Sequence, residues 1–208
     1  MLPTPARTGR PSHTRHQDPP SFAAAACFAG VLIVVFGAPL QAQIAPTGQI
    51  ATADLSSPHV RPAPELRALV SEAAEGSQAI RALMDRLETL NVTVYIRSAT
   101  FIYSDLEGRV ALLAGAVGHR YLVIELACGR SRLSQMAALG HELYHAVEIA
   151  NEPSVVDTRT LAAFYGRIGR QTGNAGGRLT FETDAAANAG LRARRELLVN
   201  LTRRSNGT

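Results

Sequence analysis

The sequence predicts an α+β domain in which a small, mainly antiparallel sheet is followed by three helices. Two observations predict it. Between residues 92 and 127 lie short runs rich in Val, Ile, Leu and Tyr, broken by turn residues. From residue 132 onwards apolar residues recur at three- and four-residue spacing, the period of a helix with one buried face.

The chain before this region divides into three parts. Residues 1–20 are polar, rich in Pro, Arg and His, and have no apolar periodicity, so they predict no packed element. From Phe22 to Leu40 the sequence is apolar, preceded by Arg7, Arg10 and Arg15 and followed by Leu40-Gln41-Ala42. This pattern predicts an export leader over 1–42 cleaved before Gln43, or an uncleaved membrane anchor, since Leu40 is bulkier than a cleavage site prefers. The expected location is therefore periplasmic or secreted. Residues 43–63, with Pro46, Pro58 and Pro62, read as a linker. One folded domain is expected over 64–208, enough chain for a real core.

Within that domain, Pro64 opens a helical pattern to about Leu90, with Gly76-Ser77 as a dividing point. Strands are expected at Val92–Arg97, Ala99–Tyr103, Val110–Ala116 and Tyr121–Ala127, and helices at Arg132–Ile149, Thr158–Arg170 and Phe181–Leu201. Ser131 is a suitable cap for the first of these helices. The 208 residues carry a formal charge of +4, and every basic residue is Arg. The arginines are scattered along the sequence, which gives no reason to invoke a nucleic-acid partner. Of two cysteines, Cys27 lies in the apolar leader and Cys128 beside a strand, where a small buried residue is expected. His119 falls in a turn and is expected in solvent.

One stretch carries an obvious chemistry: Leu139-Gly140-His141-Glu142-Leu143-Tyr144-His145-Ala146-Val147-Glu148. Residues four apart share a helix face, so His141 and His145 can address one metal ion, while Glu142, rotated round the helix, can reach a water at an open coordination position as a general base. The same spacing also suits two core histidines. Catalytic zinc takes three protein ligands, and two His with one Glu is an established set. Glu182, near the start of the last predicted helix, is the first candidate; Asp184 is the second and Asp157 the third. Ala185, Ala186, Ala189 and Ala193 would let that helix approach Ala137, Ala138 and Gly140 closely. Glu148 lies about 10 Å along the axis from His141, too far to share its metal but suited to support a ligand, as Asp184 also is. Tyr165 and Arg178 are candidate donors to a developing oxyanion.

The motif His141-Glu142-Leu143-Tyr144-His145, followed by Phe181-Glu182-Thr183-Asp184-Ala185-Ala186, resembles the zincin metallopeptidases and, within them, the gluzincins, whose third ligand is a Glu on a later helix. The resemblance spans roughly Tyr121 to Leu201. It implies one Zn2+ per chain, a zinc-bound water activated by Glu142, a peptide or protein substrate, and a cleft edge formed by Tyr121–Ala127. The position four residues after Glu182, an Asp in the best-known gluzincins, is Ala186 here. Neither the Gly and third His of metzincins nor the Gly-Thr-x-x-Asp of aspzincins is present. Two alternatives stay open: a zinc amidase with a non-protein substrate, and an inactive binding module of the same fold held to the membrane through its N-terminal segment.

Overall fold

A computed structural model describes residues 58–206 except 103–105, 117 and 176–177; residues 1–42, expected as a leader or anchor, and most of the expected linker lie outside the described residues. The fold is α+β. Strand β1 (Val60–Pro62) and a 3-10 turn (Pro64–Leu66) lead into helices α1 (Arg67–Gly76) and α2 (Gln78–Glu88). The last linker residues thus belong to the folded domain. The break between the helices comes at the expected place: Ser77 is extended (φ −135°, ψ 119°), and its hydroxyl accepts the Ile80 N–H, capping α2.

Strands β2 (Val92–Ala99), β3 (Gly108–Ala116) and β4 (His119–Ala127) follow. The sheet is ordered β1-β2-β4-β3, with β1/β2 and β2/β4 parallel and β3/β4 antiparallel. It is a mixed sheet, not the mainly antiparallel one that the turn residues predicted. Only the β3–β4 hairpin is local, turning through Gly118 in the left-handed region (φ 77°). The β2/β4 pairing is set by burial instead. Residues Leu122–Ala127 of β4 are all buried, as expected for a central strand covered on both faces. Val94, Ile96, Val110, Leu112, Leu122, Ile124 and Leu126 join one core with Leu69, Ile80, Leu87, Met136, Leu139, Leu143 and Ile149 of the helices. On the other face, Leu106, Ala111 and Val123 form a small cluster with Phe101.

Helix α3 (Arg132–Asn151) is capped by Ser131, whose hydroxyl accepts the Ser134 N–H at 3.1 Å. Its C-terminal end is held by Arg120 of β4, which donates to the carbonyls of Ala150, Glu152 and Val155. Orphan carbonyls at a helix end and a guanidinium with several donors suit each other. Cys128 is exposed, not buried, because β4 ends just before it and the chain turns through Gly129 (φ 75°). His119 is half-buried, not solvated: its Nε2 shares a 3.0 Å hydrogen bond with Thr93, and its ring packs against Tyr121.

Helix α4 (Thr158–Ile168) begins with Asp157 in a capping box with Thr160. A hairpin follows, β5 (Arg170–Ala175) with β6 (Arg178–Glu182). Helix α5 (Asp184–Asn206) follows, its first turn capped by the Thr183 hydroxyl, which accepts the Ala186 N–H at 3.1 Å. Glu182 is therefore the last residue of a strand and not part of a helix. Small residues set the α3/α5 distance: a Cβ added to Gly140 would lie 2.7 Å from Ala193 Cβ, and one added to Gly190 would lie 3.0 Å from His141 Cβ. The packed stripe is Ala186, Gly190, Ala193 and Leu197, with Ala185 turned to solvent.

Two predictions follow from this packing. Gly140→Ala should destabilise the protein by about 1–3 kcal/mol through overpacking, although alanine favours a helix interior, and urea denaturation reads the difference; a gain in stability would refute the tight α3/α5 contact. Across the open sheet face, Glu125 is paired with Arg97 of β2 and Arg109 of β3. Burial favours its neutral form, but Arg109 and then Arg97 outweigh burial and hold the carboxyl below the usual range. A depressed folded-state pKa contributes stability above the unfolded value that disappears as pH falls through the folded one. Glu125→Gln should therefore flatten the acid limb of the stability profile, measured as Tm against pH.

Candidate metal centre

The site forms where α3, the end of β6 and the start of α5 meet. His141 and His145 occupy successive turns of α3 and face Glu182. One ligand atom from each of the three lies within 4.8 Å of those of the other two, and all three side chains are buried. His141 Nε2 stands 3.4 Å from Glu182 Oε2, and His145 Nε2 stands 3.6 Å from Glu182 Oε1. Among the described residues no other group of His, Cys, Asp and Glu is arranged to hold an ion. His145 Nε2 is buried without a hydrogen-bond partner, as is Oε2 of Glu142. Buried polar atoms are rarely left so, and a divalent cation in the cluster would satisfy the imidazole.

A second layer fixes this geometry. His145 Nδ1 bonds Glu148 Oε2 at 2.7 Å, which leaves Nε2 directed at the cluster. Glu148 also accepts from the Tyr165 hydroxyl at 3.2 Å and, through Oε1, from the Thr183 hydroxyl at 2.8 Å. The Thr183 backbone N–H donates to Glu182 Oε1 at 2.8 Å. Thr183 thus touches the third carboxylate, the supporting carboxylate and the first turn of α5 at once.

The electrostatics follow from burial. Desolvation first, then the neighbouring His145, lowers the His141 pKa to about 4, leaving a neutral imidazole of the form that binds metals. For His145 burial also opposes the charge, but the hydrogen bond to Glu148 and the nearby Glu182 and Glu142 carboxyl groups prevail and raise it to about 9. Burial, helped by the Glu182 carboxylate, raises Glu142 to about 8. Burial likewise favours neutral Glu182, yet His145 and His141 hold its carboxyl below the usual range. Three carboxylates and two imidazoles in one dry pocket form a site that a cation would relieve.

Other candidates are placed elsewhere. Asp184 is a surface residue, 84% exposed at its side chain and paired with Arg170, so it neither binds nor supports. Asp157 is exposed and spent on capping α4. Tyr165 is fully buried behind His145, with its hydroxyl engaged by His145 and Glu148, so it buttresses a ligand and cannot donate to an oxyanion. The Arg178 side chain lies outside the described residues. Thr183 was missed in the sequence, although a Thr directly before Asp184 and an alanine-rich run is a helix start signal. Reading it so would have put Glu182 outside the helix.

Comparison of the chain with protein-family models, with curated proteins and with solved structures finds no match. The site is therefore read from its own residues.

Loss of the supporting carboxylate should be felt through the imidazole. Glu148→Ala is expected to weaken zinc binding by about 10–100-fold, measured by competition with a chromophoric chelator; unchanged affinity would mean that the His145–Glu148 bond does not orient a ligand.

Proposed function

We propose that the chain is a zinc-dependent metallopeptidase of the zincin type, exported across a membrane. The observation that carries this reading is the convergence of His141, His145 and Glu182 within 4.8 Å, with Glu142 beside the first histidine. His141 and His145 would hold the ion through Nε2 and Glu182 through its carboxylate, a two-His, one-Glu set typical of catalytic zinc, with His145 giving up to the solvent the proton that Glu148 and Glu182 favour on it. Zinc would supply Lewis-acid polarisation of the scissile carbonyl and acidify water.

The chain's own residues account for the remaining steps. Glu142 stands with Oε2 buried and unbonded, and its raised basicity suits it to take a proton from the attacking water and pass it to the leaving amine. Tyr165, Glu148 and Thr183 keep His145 and Glu182 in place, so little reorganisation accompanies reaction. An extended peptide has an available edge, though not the one the resemblance implies. Strand β4 is hydrogen-bonded on both sides, by β2 and β3, and has no free edge to offer. Strand β3 is the edge strand, and it begins at the candidate base: a Cβ on Gly108 would lie 2.9 Å from Glu142 Oε1. Addition of a substrate strand to β3 would lay a peptide bond alongside Glu142. Towards the far end of β3, Gly115 lies close to the segment before α4: a Cβ there would lie 2.7 Å from the Val156 carbonyl oxygen.

Elemental analysis of the full chain, purified without chelator, is expected to give one zinc per chain. Glu142→Gln should keep that zinc and lower kcat on a quenched-fluorescence peptide library by about 10²–10⁴-fold. Absence of metal after zinc is offered to the folded protein would make the histidine pair structural. Full activity of Glu142→Gln would remove the mechanism, and bound zinc with no peptide cleaved would turn the reading to another amide.

A further inference from the structure

Arginines recur along α5, and the fold brings Arg81 of α2 beside them. Arg192, Arg195 and Arg203 of α5 and Arg81 of α2 line one open groove of about 540 Å³, facing two carboxylates, Glu75 and Glu196. Glu196 is occupied by Arg192 and by the Ser77 hydroxyl and Ala79 N–H, and Arg81 donates to the Ala74 and Glu75 carbonyls. Arg195 and Arg203 make no ion pair with the described residues and stand exposed at the groove rim. Arg204 of the same helix pairs with Glu75 at 3.9 Å and so offsets one of the two carboxylates.

Apolar side chains are interleaved with this charge. Leu198 and Val199 are 44% and 49% exposed, while Ala193 and Leu197 are buried in the core. Leu198 and Val199 lie three and four residues after Arg195, and Arg203 four after Val199, so these two aliphatics and the arginines share one outward face. A helix face with aliphatic residues among arginines is the composition that seats in a lipid headgroup layer, where each Arg gains from anionic phosphates and the aliphatics enter the acyl boundary. In either reading of residues 22–40, leader or anchor, the chain meets a bilayer.

We propose that the C-terminal half of α5, with the Arg81/Arg192/Arg195/Arg203 groove, docks on an anionic bilayer surface, with lipid phosphates entering the groove and Leu198 and Val199 the interface. This surface is independent of the metal centre and stands if the peptidase reading fails.

The chain has no Trp. Thr202→Trp, on the exposed face beside Leu198 and Val199, would put a single reporter there in the full-length protein. With phosphatidylcholine vesicles containing phosphatidylglycerol, the indole emission should shift to the blue and be quenched by brominated lipid. With pure phosphatidylcholine it should stay solvent-like, even where the N-terminal segment holds the chain on the vesicle. Adding Arg192→Gln, Arg195→Gln and Arg203→Gln should lower the docking constant on the order of 100-fold, with an unchanged circular dichroism spectrum, and high salt should do the same to the unsubstituted arginines. Solvent-like emission on anionic vesicles would overturn the proposal. So would a blue shift that grows with protein concentration without lipid, which marks a second copy as the occupant, or one produced equally by free inorganic phosphate.

Discussion

The site depends on how closely α3 and α5 approach. Gly140 against Ala193, and Gly190 against the His141 side chain, remove the methyl groups that would hold the helices apart. Separation by even one methylene would be felt, because interiors are packed to crystal-like density. Since Glu182 precedes α5 by one capping residue, the position of that helix is also the position of the third carboxylate. The helical stripe Ala186, Gly190, Ala193 and Leu197 is therefore as much a determinant of the candidate centre as the three side chains that compose it.

Burial sets the chemistry that this geometry can support. Glu142, Glu148 and Glu182 share a pocket with two imidazoles, and their charges compete in a medium that solvates none of them well. The hydrogen bonds are distributed accordingly. Glu148 receives donors from three directions, and Glu182 receives a backbone N–H, while Glu142 keeps one oxygen unbonded. Carboxylates that are held differ from one that is left free to exchange a proton, and the difference lies in which neighbours reach them, since all three residue types are the same.

The histidine helix was legible because its signals are local: a Ser cap, a helical period, and two histidines one turn apart. The division of the first helical pattern at Gly76-Ser77 was legible for the same reason. Strand order was not. The β2/β4 pairing joins segments separated by a whole hairpin, and no turn residue records it. The hairpin of β5 and β6 was not legible, because the end of the short β6 merges with the helical pattern that begins at Phe181. Glu182 was chosen correctly as a candidate neighbour of the histidines, but on the wrong element. Asp184, two residues on, looked equivalent in sequence and lies on the surface, because a cap at Thr183 reverses the direction in which side chains leave the backbone. The groove was also not legible, since Arg81 is brought to Arg192, Arg195 and Arg203 only by the packing of α2 on α5.

The two margins of the sheet are unequal. On one side β1 is three residues long and ends in Pro62, so it offers little template for a further strand. On the other side β3 is nine residues long and is interrupted by a register shift between Leu112 and Ala114. Uncontrolled stacking of chains into cross-β aggregates would have to begin on that second margin, the one that runs past Glu142. The irregularity between Leu112 and Ala114 thus acts as a gatekeeper, shortening the regular segment on which a strand can be added.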